Sequence, residues 1–124
     1  MNGIDFIADT NALLYILKKD SCMIPYLNND FGISVITEME LLSFKALTNE
    51  DELVLRRMIS FCVEFPLNTS IKQFAIMVRR TYGTKLPDAI VAATAIENSV
   101  PLITADKGFS KIKELNLVLL TPTF

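Results

Sequence analysis

Five short apolar runs, separated by segments with helical periodicity, constrain the fold of this sequence more than any other feature. The runs are continuous rather than alternating, which is typical of strands that are buried on both faces of a sheet. They occupy residues 3–8, 32–36, 62–67, 101–104 and 117–120. Strands of this kind alternating with helices predict a three-layer α/β/α fold around a roughly five-stranded parallel sheet.

The segments between the runs carry recognisable helix signals. Thr37 and Glu40 match a capping box, so a helix is expected over residues 37–47. Thr69 is expected to cap a later helix that Gly83 ends. A segment apolar on nearly all sides, residues 86–98, predicts a buried helix. The remaining helices are expected over residues 11–19, 22–29 and 50–60. No repeat or linker interrupts the pattern, so residues 1–124 are expected to form one domain.

Composition excludes several kinds of site. The chain has no histidine, so it cannot build a Ser–His–Asp triad, a Cys–His protease site or an HExxH zinc site by itself. Cys22 and Cys62 are far apart and lack a CxxC spacing, so we expect two buried free thiols. Neither a signal peptide nor an apolar run of about 18 residues is present, which predicts a cytoplasmic protein without a membrane span. Acid–base or metal chemistry would therefore rest on carboxylates, cysteines or lysines.

Four carboxylates stand at comparable positions in the predicted fold. Asp9 directly follows the first strand, and Asp106 follows the fourth by two residues. Glu40 and Asp88 are expected in the first turns of their helices. Since parallel strands end at the same edge of a sheet, these side chains are expected to converge there. Converging carboxylates repel one another unless a cation neutralises them, and hard oxygen ligands favour Mg²⁺ or Mn²⁺.

The segments that carry these residues resemble a known family. ADTN at 8–11, SVITEMEL at 34–41, LPDAIVAATA at 86–95 and LITADKGF at 102–109 are similar to the four acidic motifs of PIN-domain nucleases. Their order and spacing resemble those of the small VapC-type ribonuclease toxins. The resemblance implies a Mg²⁺-dependent endoribonuclease, with Mn²⁺ as a substitute ion. It also implies an RNA substrate, an antitoxin protein as partner, and a homodimer.

The resemblance also implies roles for individual residues. Direct or water-mediated metal ligands, and hence the catalytic set, would be Asp9, Glu40, Asp88 and Asp106. Supporting polar positions would be Thr10, Asn11 and Thr104. The sequence departs from the family at Gly108, where many relatives carry a further aspartate, and this leaves open whether one or two ions bind.

Basic residues and apolar helix faces give weaker signals. Arg79, Arg80 and Lys85 precede Asp88 and are candidate RNA contacts, although a solvated helix end is the favoured interpretation. The apolar residues between Leu41 and Ile59 exceed what one thin layer needs, which indicates a dimer surface or an antitoxin groove.

Each acidic residue also has a purely structural interpretation. Asp9 could cap the first helix, Glu40 could complete the capping box, Asp88 could be a first-turn helix charge, and Asp106 could be an N-cap. Glu38 competes with Glu40, but the two lie about 200° apart around a helix and cannot face one site. An aspartyl-phosphate phosphatase would need a second aspartate where Asn11 stands. A catalytically inactive PIN-like domain that binds protein or RNA remains the alternative function.

Overall fold

The five strands form one parallel sheet in a computed structural model that describes residues 3–123. In chain order they are Phe6–Ala8 (β1), Phe31–Ser34 (β2), Val63–Phe65 (β3), Leu102–Thr104 (β4) and Leu117–Leu119 (β5). Their order across the sheet is β3-β2-β1-β4-β5, and each neighbouring pair is parallel. In the central strand β1, Ile7 pairs with Gly32 on one side and with Leu102 on the other.

Helices cover both faces of the sheet. The α-helices are Thr10–Leu17 (α1), Val35–Leu42 (α2), Asn49–Ser60 (α3), Thr69–Tyr82 (α4) and Leu86–Asn98 (α5). Two short 3₁₀ helices, Ser21–Tyr26 and Lys107–Lys111, complete the described chain. The α/β/α prediction is therefore confirmed, with each observed strand shorter than its predicted run. None of the helices within residues 3–123 is long and apolar enough to span a membrane.

Two apolar cores lie on opposite faces of the sheet, because successive residues of a strand point to opposite sides. Ile7 and Leu102 join the core built mainly by α4 and α5. Their neighbours Ala8 and Ile103 join the core of α1, α2 and α3. Seven consecutive residues of α5, Ala89–Ala95, are buried, and this confirms that residues 86–98 form a buried helix. Burial along most of its length fixes the position of this helix, and with it the position of the acidic residue in its first turn.

The predicted start of α2 was wrong. The helix begins at Val35, and its cap is Ser34, whose hydroxyl accepts a hydrogen bond from the Ile36 amide. Thr37 lies inside the helix, fully buried, so it does not form a capping box with Glu40. The strand passes into the helix without a loop because the serine that ends β2 also caps α2. Glu40 therefore lies in the second turn rather than the first.

Two smaller expectations also need correction. The cap of α4 is Asn68, whose side-chain oxygen accepts from the Ile71 amide, and Thr69 is the first helical residue. Gly83 ends this helix as predicted, in the left-handed conformation with φ of 69°. Cys22 and Cys62 are free thiols but only partly buried. Burial raises the pKa of both thiols, so they are held in their unreactive protonated form.

Gly32 gives a test of how tightly the central strands pack. A Cβ at this position would lie 2.7 Å from both Ile4 Cδ1 and Phe65 Cε2. We expect Gly32→Ala to lower the free energy of unfolding by about 1–3 kcal/mol, the usual result of overpacking a core. Asn28→Ala, at an exposed loop position, should change it by less than about 0.5 kcal/mol. Chemical denaturation measures the free energy of unfolding of both variants. Equal values for Gly32→Ala and the wild type would show that the sheet relaxes around the added methyl group.

Candidate active site at the centre of the sheet

The acidic residues meet where the strand order reverses. From β1 the chain adds β2 and β3 on one side, and then β4 and β5 on the other. Such a reversal leaves a crevice beyond the carboxyl ends of the two central strands, here β1 and β4. Asp9 directly follows β1 and Asp106 follows β4 by two residues, so the reversal places both at this crevice.

Thr104 joins these two acidic residues. Its hydroxyl donates a hydrogen bond to Asp9 Oδ2 and accepts one from the Asp106 amide, the latter at 3.0 Å. The other carboxylate oxygen of Asp9 accepts from the Ala12 amide at 2.8 Å and so caps α1. Thr104 is fully buried and Asp9 is only 8% exposed. Hydrogen bonds to both of its oxygens therefore fix the orientation of the Asp9 carboxylate.

The electrostatics of Asp9 are unfavourable for a carboxylate. Burial raises its pKa, the hydrogen bonds from Thr104 and Ala12 lower it, and the charges of Asp106 and Asp88 raise it again. The net pKa lies above the ordinary value of 3.8. An ionised Asp9 is thus held in a place that disfavours its charge, which is common at catalytic sites.

Asp88 and Glu40 reach the same region from two helices. Asp88 lies half-buried in the first turn of α5; burial raises its pKa most, followed by the charges of Asp106 and Glu40. Lys85 opposes this shift. Glu40 is exposed in the second turn of α2, and its Oε1 accepts a 2.8 Å hydrogen bond from the Thr10 hydroxyl. The structure therefore places Asp88 within electrostatic range of the other three predicted acidic residues, and Asp9 within range of Asp106.

The structural interpretations of these residues have different outcomes. Asp9 does cap α1, Asp106 does cap the second 3₁₀ helix by accepting from the Gly108 amide, and Asp88 is indeed a first-turn charge. Glu40 does not complete a capping box. Its carboxylate instead accepts a hydrogen bond from the Thr10 hydroxyl. Capping explains where Asp9 and Asp106 stand, but it does not explain why four like charges are gathered.

The other predicted residues divide into two groups. Thr10 and Thr104 contact the acidic side chains directly, whereas Asn11 lies exposed in the first turn of α1. Among the basic residues, Lys85 faces Asp88 closely enough to affect its pKa. Arg79 instead donates to the Thr84 carbonyl oxygen at 3.2 Å, and Arg80 is exposed at the end of α4.

Two residues of this region were not predicted. Thr84 and Lys111 line a cavity of about 290 Å³ together with Asp88 and Asp106. Thr84 could have been noticed because it lies between the helix-ending Gly83 and the residue that starts α5. Lys111 gave no such signal, because only the tertiary fold brings it beside Asp88.

The donor set fits a hard divalent cation by its chemistry. All four acidic side chains offer oxygen, and their mutual repulsion is what a cation would relieve. No three acidic or cysteine side chains within residues 3–123 already stand as a complete ligand cluster. Asp106 is turned back onto the Gly108 amide and Glu40 is held by Thr10, so binding an ion requires these two side chains to reorient. Asp9 and Asp88 would hold the ion first.

Gly108 affects how Asp106 can move. A Cβ at position 108 would lie 3.0 Å from Asp106 Oδ1, closer than most side chains tolerate. The glycine therefore permits the present conformation of Asp106, in which the carboxylate folds over the start of the 3₁₀ helix.

The repulsion at Asp9 can be measured through stability. Asn can keep the hydrogen bond from the Ala12 amide through its carbonyl oxygen and can donate from its NH2 group to the Thr104 hydroxyl, without carrying the charge. We expect Asp9→Asn to raise Tm at neutral pH in EDTA, by roughly 3–6 °C for each kcal/mol gained. Because folding raises the pKa of Asp9, its protonated form stabilises the folded chain. This stabilisation is fully present below the unfolded pKa and is lost as pH rises through the folded pKa. The advantage of the variant should therefore shrink as pH falls, as measured by thermal unfolding at several pH values.

A control variant and a measurement with added Mg²⁺ complete this test. Asp30→Asn changes an exposed aspartate just before β2, at the opposite edge of the sheet, and should leave Tm nearly unchanged. Millimolar Mg²⁺ should raise the Tm of the wild type more than that of Asp9→Asn. A lower Tm for Asp9→Asn in EDTA would show that the Asp9 charge stabilises the fold.

Comparisons with known proteins agree with this geometry. Among curated proteins no sequence matches at a significant level. In fold, the chain is similar to a chain in a toxin–antitoxin complex from Klebsiella pneumoniae, with 28% identity, a TM-score of 0.77 and coverage of 92% of this chain and 96% of that one. It is also similar to a chain in the DNA-bound VapBC complex from Salmonella typhimurium, with 22% identity, a TM-score of 0.81 and coverage of 93% and 97%. The family model of the PIN domain matches residues 6–115, and the chain therefore belongs to the PIN domain family.

Proposed function

We propose that this chain is a Mg²⁺-dependent endoribonuclease and the toxin of a toxin–antitoxin pair. The gathering of four carboxylates at the reversal of the strand order, with the pKa values of Asp9 and Asp88 raised, is the observation that carries the proposal. Membership of the PIN family supports nuclease activity, and the likeness to the Klebsiella pneumoniae complex supports the toxin role. The choice of RNA rests on the resemblance of the motifs to those of VapC-type ribonucleases.

The roles of the residues follow from their positions. A divalent ion bound here supplies activation of water and neutralisation of charge on the phosphate. Asp9 would hold the ion from a carboxylate whose orientation Thr104 and the α1 amide already fix. Asp88 would hold it from the rigid, buried helix α5, and Asp106 and Glu40 would complete the set. Thr10 keeps Glu40 near the site, from where Glu40 and Asp106 would turn towards the ion.

The antitoxin would bind at an apolar groove away from this site. The groove measures about 340 Å³ and lies between α1, the segment after α2, and α3. Its apolar lining includes Leu17, Phe44 and Val54, which are 37%, 52% and 52% exposed. A two-fold dimer needs the same surface to be complementary to itself, whereas a concave groove needs a different, protruding partner. An apolar segment of the antitoxin is therefore the occupant we propose.

A homodimer would use other exposed apolar side chains. Ile24 and Leu27 at the first 3₁₀ helix are 64% and 55% exposed, and Phe61 at the end of α3 is 80% exposed. Such exposure of large apolar residues is typical of surfaces that bind another protein. Light scattering of the purified chain measures the mass, and a monomer at micromolar concentration would contradict this part of the proposal.

Cleavage of RNA tests the enzymatic proposal. The purified protein should cleave single-stranded or structured RNA with Mg²⁺, should cleave DNA of the same sequence poorly, and should lose activity in EDTA. Asp9→Asn should reduce the rate by roughly 100-fold or more, as expected when one charged group of a catalytic site is removed. Asp30→Asn should retain the wild-type rate.

Three outcomes would contradict this reaction or its mechanism. Equal cleavage by the wild type and Asp9→Asn would show that Asp9 is not essential. Cleavage in EDTA would exclude the divalent ion. RNA binding without cleavage, over a range of sequences and with Mg²⁺ present, would favour the inactive binding domain.

A substitution that places one charge in the groove tests whether the antitoxin binds there. Val54→Glu places a carboxylate in the groove, and because Val54 is half exposed we expect the fold to tolerate it. Affinity for the protein encoded beside this gene should fall by roughly 100-fold, or about 3 kcal/mol, as measured by calorimetry. Ile76→Glu, at an exposed apolar position of α4 in the other helical layer, is the matched control and should bind normally. Equal affinities for the two variants would place the antitoxin elsewhere.

A further inference from the structure

We propose that the cavity beside Asp88 binds a backbone phosphate of the substrate strand, and that Thr84 and Lys111 position this phosphate. The proposal rests on the proposed function and adds the place where the strand is held. The cavity is lined by donors, from Thr84, Lys85 and Lys111, and by acceptors, from Asp88 and Asp106. At about 290 Å³ it has room for roughly ten waters of ~30 Å³ each, which is enough for a phosphodiester group.

Thr84 offers a further donor to this cavity. The residue is 8% exposed, and its hydroxyl is buried without a hydrogen-bond partner in residues 3–123. Buried hydroxyl groups nearly always have a partner in folded proteins. Because Thr84 lines the cavity, rotation about χ1 can exchange its methyl group for its hydroxyl at nearly equal volume. A ligand with acceptor oxygens would satisfy this hydroxyl.

The start of α5 adds further donors at the same place. Lys85 precedes the helix in an extended conformation, and no side chain of the described residues caps this 13-residue helix. The first-turn amides of Leu86 and Asp88 are therefore available to an anion, whereas Pro87 has no amide hydrogen. Arg79 fixes the turn by donating to the Thr84 carbonyl oxygen, so these donors are held in place before a ligand arrives.

Charge selects the ligand and its orientation. Two ammonium groups, a hydroxyl and amide hydrogens are all donors, so this part of the lining suits an anion with several oxygens. The carboxylates of Asp88 and Asp106 would repel that anion, so it would lie against the lysines and the first-turn amides of α5. A strand held there by one phosphate would lie next to the acidic residues, because Asp88 and Asp106 line the same cavity. Thr84 and Lys111 are therefore positioning residues and not catalytic ones.

Phosphate binding can be measured without catalysis. In EDTA, at constant ionic strength, we titrate ¹⁵N-labelled protein with inorganic phosphate and follow amide resonances. Saturable shifts are expected at Thr84, Leu86, Asp88 and Gly108. Thr84→Val and Lys111→Gln should each raise the Kd at least fivefold, whereas Thr84→Ser, which keeps the hydroxyl, should bind like the wild type. Lys113→Gln, an exposed lysine two residues from Lys111, is the matched control and should also bind normally.

Thermal unfolding separates ligand binding from structure. Thr84→Val removes a hydroxyl that has no partner, so its Tm should equal or exceed that of the wild type. A lower Tm, a titration without shifts around residues 84–88, or equal Kd values for Lys111→Gln and Lys113→Gln would overturn the proposal.

A short single-stranded RNA distinguishes strand phosphate from free phosphate. In EDTA it should shift the same amides and displace inorganic phosphate, and an RNA with uncharged methylphosphonate linkages should do neither. Failure to displace phosphate would identify a site for free phosphate and overturn the proposal. In cleavage assays with Mg²⁺, Lys111→Gln should raise KM about tenfold with kcat within about twofold. Phosphate and RNA binding without any cleavage would leave this site intact and reject only the nuclease function.

Discussion

The hydroxyl group of Thr104 links the carboxyl ends of the two central strands, β1 and β4. It donates to Asp9 at the end of β1 and accepts from the Asp106 amide after β4, so one side chain spans the point where the strand order reverses. The same carboxylate of Asp9 caps α1. Strand pairing, helix capping and the acidic site therefore share a small set of hydrogen bonds, and a change at Thr104 should affect all three.

The site is assembled at a cost to stability. Burial and neighbouring charges raise the pKa values of Asp9 and Asp88, so the folded chain holds both carboxyl groups where their charged form is disfavoured. The buried helix α5 and the two apolar cores offset this cost. Such a balance is expected of a site that is completed by a cation. Because the chain has no histidine, the acid–base chemistry of the proposed reaction would fall to carboxylates and the ion they would bind.

The sequence predicted those parts of the molecule that depend on local pattern. The strands, the buried helix and the positions of Asp9 and Asp106 follow from apolar runs and from the residues directly after them. The start of α2 was misplaced because Ser34 and Thr37 both offer a capping hydroxyl, and only the fold shows that Thr37 is buried. Lys111 could not be paired with Asp88 from sequence, because α5 and β4 lie between them in the chain. Arg79 was a candidate RNA contact from its position in the sequence; the fold shows that it also supports a turn, and the RNA contact stays a prediction.

These carboxylates are proposed to bind a divalent ion at the end of β1. Crystals of the protein soaked in Mn²⁺ and measured at a wavelength where manganese scatters anomalously would show whether they do. An anomalous peak is expected at about 2.0–2.3 Å from carboxylate oxygens of Asp9 and Asp88, with Asp106 turned away from the Gly108 amide towards the ion. A well-ordered crystal at millimolar Mn²⁺ with no peak between these residues, or with the peak elsewhere on the protein, would contradict it.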